Sequence, residues 1–244
     1  MKRHAYTAAL LPVLALSLAA CAVRLGGPSP EEYDVAAMFE PLNADAGEVA
    51  QRIVAAGAEI VLLAAERQDS AWFTAVAANA RLGLSGPGTT TGRGYAFMTN
   101  LEILGDTSLA LPVDGGGTVH MHDALYRIDE YRNIDLMLVR LEGPDLRATV
   151  DRLLRYIATD VPADAALLLA LDGPTPEAAD SAATMIRATI AAAAACRDLQ
   201  DAPAPAVRLL YGPSARIRCL SARDLPGSTP GVRPGIVARV EVGR

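Results

Sequence analysis

Lysine is almost absent from this sequence: Lys2 is the only lysine in 244 residues, and the other residues in the count of 22 lysines and arginines are all arginines. A phosphate-binding loop of the Walker type therefore has no lysine to reach the phosphates. Gly92-Arg93-Gly94 lacks the third glycine of a dinucleotide-binding loop, and Ser85 does not stand in the frame of a nucleophile elbow. The common local signatures of nucleotide binding and serine hydrolysis are missing.

Cysteine and histidine are also scarce, with three of each, which leaves little material for a metal site. His120 and His122 are spaced to lie on one face of a strand, where two ligands could begin such a site. No cysteine or third histidine accompanies them, so we interpret them as surface or packing residues and predict no metal ligands. Cys196 and Cys219 either form a disulfide, which would persist in an exported protein, or remain two buried thiols.

No apolar run is long enough for a permanent transmembrane span. The longest candidate runs from Ala8 to Ala20 and is broken by a proline and a serine. A helix needs about 20 apolar residues to cross a hydrocarbon core. Lys2 and Arg3 precede the run, and small residues close it. This layout is typical of a secretion signal, which we predict over residues 1–20.

The segment Leu18-Ala19-Ala20-Cys21 resembles the bacterial lipobox. The resemblance implies that the Cys21 thiol takes a diacylglycerol, that cleavage occurs before it, and that the new amine is acylated, with palmitate as a typical chain. Several acyl chains make a stable membrane anchor, at about 0.8 kcal/mol for each buried CH₂. The alternative is an ordinary signal cleaved after Ala20, which would put Leu18 where small residues are preferred.

Charge and the residue after the cysteine indicate location and partners. Without Lys2 and Arg3, 20 basic residues stand against 28 acidic ones, a net charge of −8. Bulk nucleic acid is therefore not an expected partner, because its phosphates call for a basic surface. Ala22 in place of an aspartate implies the outer membrane, facing the periplasm, in bacteria that have one. The predicted partner is the membrane itself, through the lipid, and no protein or small-molecule partner is indicated.

The remaining chain alternates between short apolar runs and amphipathic stretches, which is typical of an α/β protein. We predict a flexible tether over residues 21–32, rich in glycine and proline, and a single domain over residues 33–244. Predicted helices cover 45–56, 70–82, 145–158 and 175–195. Predicted strands cover 35–39, 59–65, 95–99, 108–112, 124–128, 134–141, 165–171, 207–211, 217–221 and 236–242. A glycine-rich turn is expected at 86–94 and a loop at 114–118.

The order of these segments resembles the endonuclease/exonuclease/phosphatase superfamily. Seven features of that family have counterparts here: a helix with a Val-Ala-x-x-Ile core, a strand ending in Leu-Gln-Glu, the next strand with its Leu-Ser-Arg turn, a strand ending in His-Leu, a Gly-Asp-Phe-Asn segment, an Arg-Ile-Asp strand, and a Ser-Asp-His segment before the last strand. They fall, in order, at residues 49–53, 61–65, 95–103, 136–141, 168–176, 216–220 and 229–237. The resemblance implies the deoxyribonuclease I-like fold: two packed mixed β-sheets flanked by helices in a four-layer α/β/β/α sandwich.

The departures from that family concern its catalytic residues. The family hydrolyses phosphodiesters with Mg²⁺ held by carboxylates, while a histidine and an aspartate activate water. Of the motif residues only Asp172 is retained in place. The family's asparagine, metal-binding glutamate, histidine, second asparagine and Asp-His pair are replaced by Phe39, Ala65, Arg140, Pro174 and Gly231-Val232. One carboxylate cannot hold Mg²⁺ firmly and no general base remains, so we expect no inherited mechanism and no cofactor.

Three hypotheses follow. The first is a lipid-anchored pseudoenzyme that keeps the fold for binding or for a structural role. The second is a Mg²⁺-dependent phosphodiesterase or phosphatase with a shifted site, built from Glu66 and Asp172 with His120, His122 or Asp123. A one-residue slip along a strand would turn Glu66 to the opposite face unless a bulge corrects it. The third is an exported α/β lipoprotein unrelated to the superfamily.

Asp172 and Arg140 each have a structural and a functional interpretation. Asp172 either caps or solvates the start of the helix near Thr175 or remains in a functional cleft. Arg140 either points outward into solvent, the interpretation that we prefer, or points into the old cleft and binds an anionic group.

Overall fold

Strands and helices alternate through the part of the chain that the computed structural model describes, which is residues 31–40, 44–66, 68–90, 93–189, 194–195, 207–212, 216–225 and 235–243. The strands are β1 (Glu31–Glu40), β2 (Ile60–Glu66), β3 (Leu84–Thr90), β4 (Arg93–Thr99), β5 (Glu102–Pro112), β6 (Thr118–Arg127), β7 (Asn133–Glu142), β8 (Ala166–Asp172), β9 (Ala194–Ala195), β10 (Val207–Gly212), β11 (Ile217–Leu225) and β12 (Gly235–Val242). The helices are α1 (Ala46–Ala56), α2 (Ser70–Ala80), α3 (Leu146–Asp160) and α4 (Pro176–Thr189).

The strands form two sheets with both parallel and antiparallel pairs. The first sheet has the order β11-β12-β1-β2-β4-β3, and the second has the order β5-β6-β7-β8-β10-β9. The pairs β1–β2 and β7–β8 are parallel, whereas β2–β4, β6–β7 and β8–β10 are antiparallel. Each of these parallel pairs is joined through a helix, α1 or α3, as a parallel connection requires.

Apolar side chains from the two sheets fill the space between them. Leu62 and Phe97 of the first sheet and Tyr126 and Leu138 of the second belong to this shared inner core. The outer face of the first sheet packs on α1 and α2, and that of the second packs on α3 and α4. The four-layer α/β/β/α sandwich predicted from the sequence is confirmed.

The period of two along a strand separates the inner core from the outer ones. In β7, Leu136 and Leu138 face the inner core, while Met137 and Val139 face the helices. In β8, Leu168 and Ala170 belong to the inner core. The same alternation decides where the polar side chains at the ends of these strands point.

The prediction of a glycine-rich turn at residues 86–94 is wrong at both of its ends. Leu84–Thr90 form β3, which pairs antiparallel with β4. The register shifts between Ser85 and Gly88, and Gly86 has a φ of 49°, so the two intervening residues form a bulge. The bulge also accommodates Pro87, which cannot donate a ladder hydrogen bond.

Other element boundaries also differ from the predictions. Helix α4 ends at Thr189, and Ala194–Ala195 pair with β10 as β9 instead of continuing the helix. Strand β1 begins at Glu31, inside the predicted tether. Strands β5 and β6 are about twice as long as predicted, because antiparallel pairing from Glu102 to Pro112 satisfies their backbone groups although most of β5 is exposed.

Among the described residues, no helix combines the length and the apolar character that a membrane crossing requires.

Candidate functional site

Arg140 and Asp172 lie side by side at the carboxyl ends of the parallel strands β7 and β8, where the strand register pairs them directly. Asp172 continues the inner-face series of Ala170, and Arg140 continues that of Leu138. The Asp172 side chain is fully buried and that of Arg140 is 14% exposed. Both side chains therefore lie at the end of the inner core, between the two sheets.

Four charged or titratable side chains form a chain of contacts here, which we call the cleft network: Asp172, Arg140, Glu142 and His120. Arg140 Nη1 donates to Asp172 Oδ2 at 2.8 Å, and Arg140 Nε donates to Glu142 Oε1 at 2.7 Å. His120 Nε2 lies 3.4 Å from Glu142 Oε2, and His120 is almost fully buried. One guanidinium thus bridges two carboxylates, and charge-assisted hydrogen bonds of this kind are stronger than neutral ones.

The structure corrects the preferred interpretation of Arg140. Arg140 does not point outward into solvent, because the β7 alternation directs it inward and two carboxylates hold it. Asp172 is fully buried, so it does not solvate the start of the following helix. Thr175 Oγ1 accepts the hydrogen bond from the Ala178 amide at the start of α4. Asp172 is therefore buried at the end of the inner core, where its carboxylate faces a guanidinium.

His122 lies on the same face of β6 as His120, as their spacing predicted, and it is a packing residue. Its ring stacks on Phe97 of the other sheet at 4.7 Å between centroids, and its Nδ1 is 2.7 Å from Ser108 Oγ. Burial lowers the pKa of His122, and this effect exceeds the opposing influence of Asp106. A neutral, stacked ring explains how His122 tolerates burial.

The first sheet contributes mostly apolar side chains to this end of the inner core. Phe39 and Ala64 face the inner core, whereas Ala65 packs on the helix side. Because β2 alternates regularly through Leu62 and Ala64, Glu66 lies on the inner side without any bulge. Glu66 therefore lies on the opposite face from Ala65, as the one-residue slip predicted, and Ala65 is the residue that packs on the helix side.

Two further polar contacts were missed from the sequence. Glu142 follows Arg140 by two residues, and this spacing places both on one strand face, so the signal was present. Glu40, at the end of β1, is buried on the helix side and accepts a 2.6 Å hydrogen bond from Arg52 Nη2 of α1. No sequence motif indicates the pair of Glu40 and Arg52, because their contact depends on how α1 packs on β1.

Several predicted residues fall outside the described part of the chain: Cys21, Cys196, Gly231 and Val232. The signal peptide, the lipid attachment, the disulfide and the Asp-His replacement therefore stay predictions. Cys219 is described, and its thiol donates to the Ser221 carbonyl at 3.3 Å.

The residues present do not fit a Mg²⁺ site of the kind that the fold family implies. Mg²⁺ needs near-octahedral oxygen ligands. Within the described residues, no group of three or more carboxylate, histidine or cysteine side chains is arranged to hold a metal ion. His122 and Asp123 do not join Asp172, because His122 contacts Ser108 and Asp123 points to the helix side, where it bonds to Tyr156.

Comparison with known proteins supports the fold through structure rather than through sequence. No protein-family model matches the sequence, and no curated protein matches it. A Bacteroides thetaiotaomicron endonuclease/exonuclease/phosphatase family protein superposes with a TM-score of 0.65 at 9% identity, covering 88% of this chain and 100% of that one. D. rerio TDP2, solved with a single-strand DNA product, gives 0.62 at 11% identity, covering 86% and 99%.

The chain therefore has the fold of the endonuclease/exonuclease/phosphatase superfamily. A point mutant of a Cimex nitrophorin, solved as its ferrous NO complex, superposes with a TM-score of 0.57 at 12% identity, covering 88% of this chain and 100% of that one. Because the same fold supports a nitrophorin, the site and not the fold must decide the function.

Proposed function

We propose that this protein is a membrane-anchored, non-catalytic protein with an endonuclease/exonuclease/phosphatase-like fold, whose cleft serves binding or a structural role. The observation that carries the proposal is the contact between Arg140 and Asp172, at 2.8 Å with Asp172 fully buried. The one carboxylate that matches the family's motif faces a cation supplied by the protein itself.

This ion pair opposes metal binding for an electrostatic reason. A divalent cation at Asp172 would have to approach the Arg140 guanidinium, which stays positively charged because it cannot be deprotonated. Moving the guanidinium away would break its hydrogen bonds to two carboxylates. The arginine would then be a buried charge without its partner, and breaking such a pair costs about 3–5 kcal/mol. The protein thus favours the closed network over an exchangeable metal.

The neighbouring side chains support the same proposal. Phe39 offers no ligand atom, and Ala65 points away from the cleft. Of the two histidines, His120 contacts Glu142 and His122 stacks on Phe97. A general base must lie within hydrogen-bond reach of the water that it activates. Both imidazole rings are held by packing and by contacts with neighbouring side chains.

Hydrolysis of bis(4-nitrophenyl) phosphate by the purified full-length protein tests the proposal. With Mg²⁺ or Mn²⁺ we expect no rate above that of the Asp172→Ala variant, while deoxyribonuclease I in the same buffer gives the positive control. Metal-dependent turnover that disappears in Asp172→Ala would overturn the non-catalytic assignment.

A second candidate, a metal-dependent phosphodiesterase with a shifted site, is favoured by one observation, the inward face of Glu66 on β2. It predicts turnover that falls at least tenfold in both Glu66→Gln and Asp172→Ala. Glu48→Gln, an exposed change on α1, serves as the matched control and should leave the rate unchanged. Turnover that is unaffected by Glu66→Gln would remove this candidate.

The anchoring part of the proposal rests on the lipobox-like Leu18-Ala19-Ala20-Cys21 segment. We expect the mature protein to carry acyl chains on Cys21, to incorporate labelled palmitate and to sediment with the cell envelope, in the outer membrane where one exists. Cys21→Ser should abolish both label and sedimentation, whereas Cys219→Ser should leave them intact. Label that persists in Cys21→Ser would contradict anchoring at this residue.

A further inference from the structure

A second polar cluster lies on the opposite side of the second sheet from the cleft network. Asp123 on β6 and Asp135 on β7 both belong to the face that packs on α3, and they are diagonal neighbours, because the register pairs Asp123 with Met137 and Asp135 with Leu125. The Tyr156 hydroxyl of α3 donates to Asp123 Oδ2 at 2.7 Å.

Both carboxyl groups are buried and incompletely satisfied. Asp123 is 7% exposed and Asp135 is 3% exposed. The Oδ1 atom of each is buried and meets no donor in the described part of the chain. Burial raises the pKa of Asp135 to about 9, and a hydrogen bond to Asp123 acts in the same direction. Asp135 therefore holds a proton at neutral pH, because its ionisation would place a charge in a buried site next to another carboxyl group.

A cavity of about 280 Å³ opens at this pair. The exposed residue Asp160 also lines it, so acidic side chains reach it from β6, β7 and α3. Asp106 borders the cavity, but its carboxylate lies on the other face of β5, next to Gly86 and on the inner-core side. None of the described residues that line it is basic. The other side chains are apolar or neutral, and they include Leu104, Leu125 and Pro162. The cavity thus combines excess negative charge with apolar walls.

These features favour an organic cation over a metal ion. The described residues contain no group of three ligands that could hold a metal ion, and the apolar walls of the cavity supply no ligand atoms. A primary ammonium has three donors for carboxylate oxygens, and its alkyl chain can lie on the apolar walls. On binding, the ammonium can form an ion pair with the Asp135 carboxylate, and the proton that Asp135 held is released to the buffer.

We propose that Asp123, Asp135 and Tyr156, with Asp160 at the opening, form a binding site for a small primary alkylammonium compound. The site lies on the helix side of the second sheet and uses no residue of the cleft network. It is therefore independent of whether the cleft is catalytic, and either proposal can fail without the other.

Calorimetric titration of the purified full-length protein with 1,4-diaminobutane and with n-butylamine tests this site. We expect saturable binding that Asp135→Asn weakens at least tenfold, because the neutral amide offers the ammonium no negative charge. Asp160→Asn, an exposed change that cannot disturb the core, should weaken it severalfold. Asp151→Asn removes the same charge from an exposed position of α3 away from the cavity and should leave the affinity unchanged.

Proton release provides a second measurement that does not depend on any variant. Calorimetry in buffers of different ionisation enthalpy should show that about one proton is released for each ammonium bound near pH 7, because the ligand displaces the proton held by Asp135. The affinity should rise with pH towards the pKa of Asp135, since burial and the neighbouring Asp123 favour retention of the proton, and Asp160 is the other carboxylate that faces the cavity. Absence of saturable amine binding, binding without proton release, or Asp135-dependent binding of Ca²⁺ in place of the amine would each overturn the proposal.

Discussion

Arg140 and Asp172 form a buried ion pair, and such pairs contribute less to net stability than their short distances suggest. The desolvation of both charges offsets most of their attraction, so the pair as a whole adds little. Removing one partner is different, because the other charge then stays buried without compensation. We therefore interpret the pair as part of the proposed non-catalytic site and not as a source of stability.

Arg140→Ala should accordingly lower the free energy of unfolding by about 3–5 kcal/mol, since it removes the cation that faces a fully buried carboxylate. Urea denaturation followed by circular dichroism measures the change. The double variant Arg140→Ala/Asp172→Asn is the control and should recover a large part of the loss. Equal stabilities of the single and double variants would show that the charge of Asp172 is not what Arg140 compensates.

The Asp123 and Asp135 pair makes stability depend on pH. The pKa of Asp135 rises from 3.8 to about 9, chiefly through burial. Between these values the folded protein keeps a proton that the unfolded chain releases, so this group's contribution to the free energy of unfolding falls as pH rises. Asp135→Asn should flatten the decline between neutral pH and pH 9, as measured by urea midpoints across that range. Parallel pH profiles for the unmodified protein and Asp135→Asn would contradict the retention of a proton by Asp135 in the folded state.

Some of these residues could be predicted from the sequence and some could not. Asp172 was recognisable because its segment follows an apolar strand and precedes a proline-initiated helix. The orientation of Arg140 was predictable from alternation along β7 and was nevertheless assigned to solvent, because a charged side chain is usually exposed. The pairing of Asp123 with Asp135 depends on strand register, which no local pattern in the chain specifies.

At the scale of elements, three helices begin at an aspartate whose side chain accepts a backbone hydrogen bond. Asp45 accepts from the Glu48 amide, Asp69 from the Trp72 amide and Asp145 from the Ala148 amide, at 2.9 to 3.0 Å. These caps satisfy amides that have no partner within the helix. They explain why the predicted starts of α1, α2 and α3 agree with the structure to within a residue.

Asp145→Ala should lower the free energy of unfolding by about 1 kcal/mol, because α3 then loses its cap. Asp145→Asn keeps an accepting oxygen and should cost less, so it separates the hydrogen bond from the charge. Thermal and urea denaturation of the two variants measure the difference. If Asp145→Ala proved as stable as the parent protein, the α3 cap would have no energetic role.

The elements that the sequence predicted poorly owe their structure to partners far along the chain. Most residues of strand β5 are exposed, so the strand depends more on its pairing with β6 than on burial of an apolar face. β3 contains two glycines and a proline, and β4 pairs with it across a bulge. An alanine-rich segment favours a helix locally, yet Ala194–Ala195 pair with β10. Apolar strands in the two sheet centres carry a stronger local signal, and these were predicted well.

At the scale of the whole molecule, the order of apolar strands and amphipathic helices was enough to predict two sheets between helix layers. The likeness to solved structures holds at 9 to 12% sequence identity in the three compared proteins. The fold is therefore shared although most of the individual residues differ. Function is less predictable, since it depends on a few side chains where the strands end. The cleft network lies where the superfamily's motif residues were expected, with an arginine at its centre.

Titration of the full-length protein with Mn²⁺ and Mg²⁺, compared with Asp172→Asn, tests the central claim that the cleft network excludes a metal. The account predicts that millimolar Mn²⁺ or Mg²⁺ gives the same heats with both proteins, because Arg140 already neutralises Asp172. Saturable binding to the unmodified protein that disappears in Asp172→Asn would contradict it and would show that the carboxylate is available to a metal.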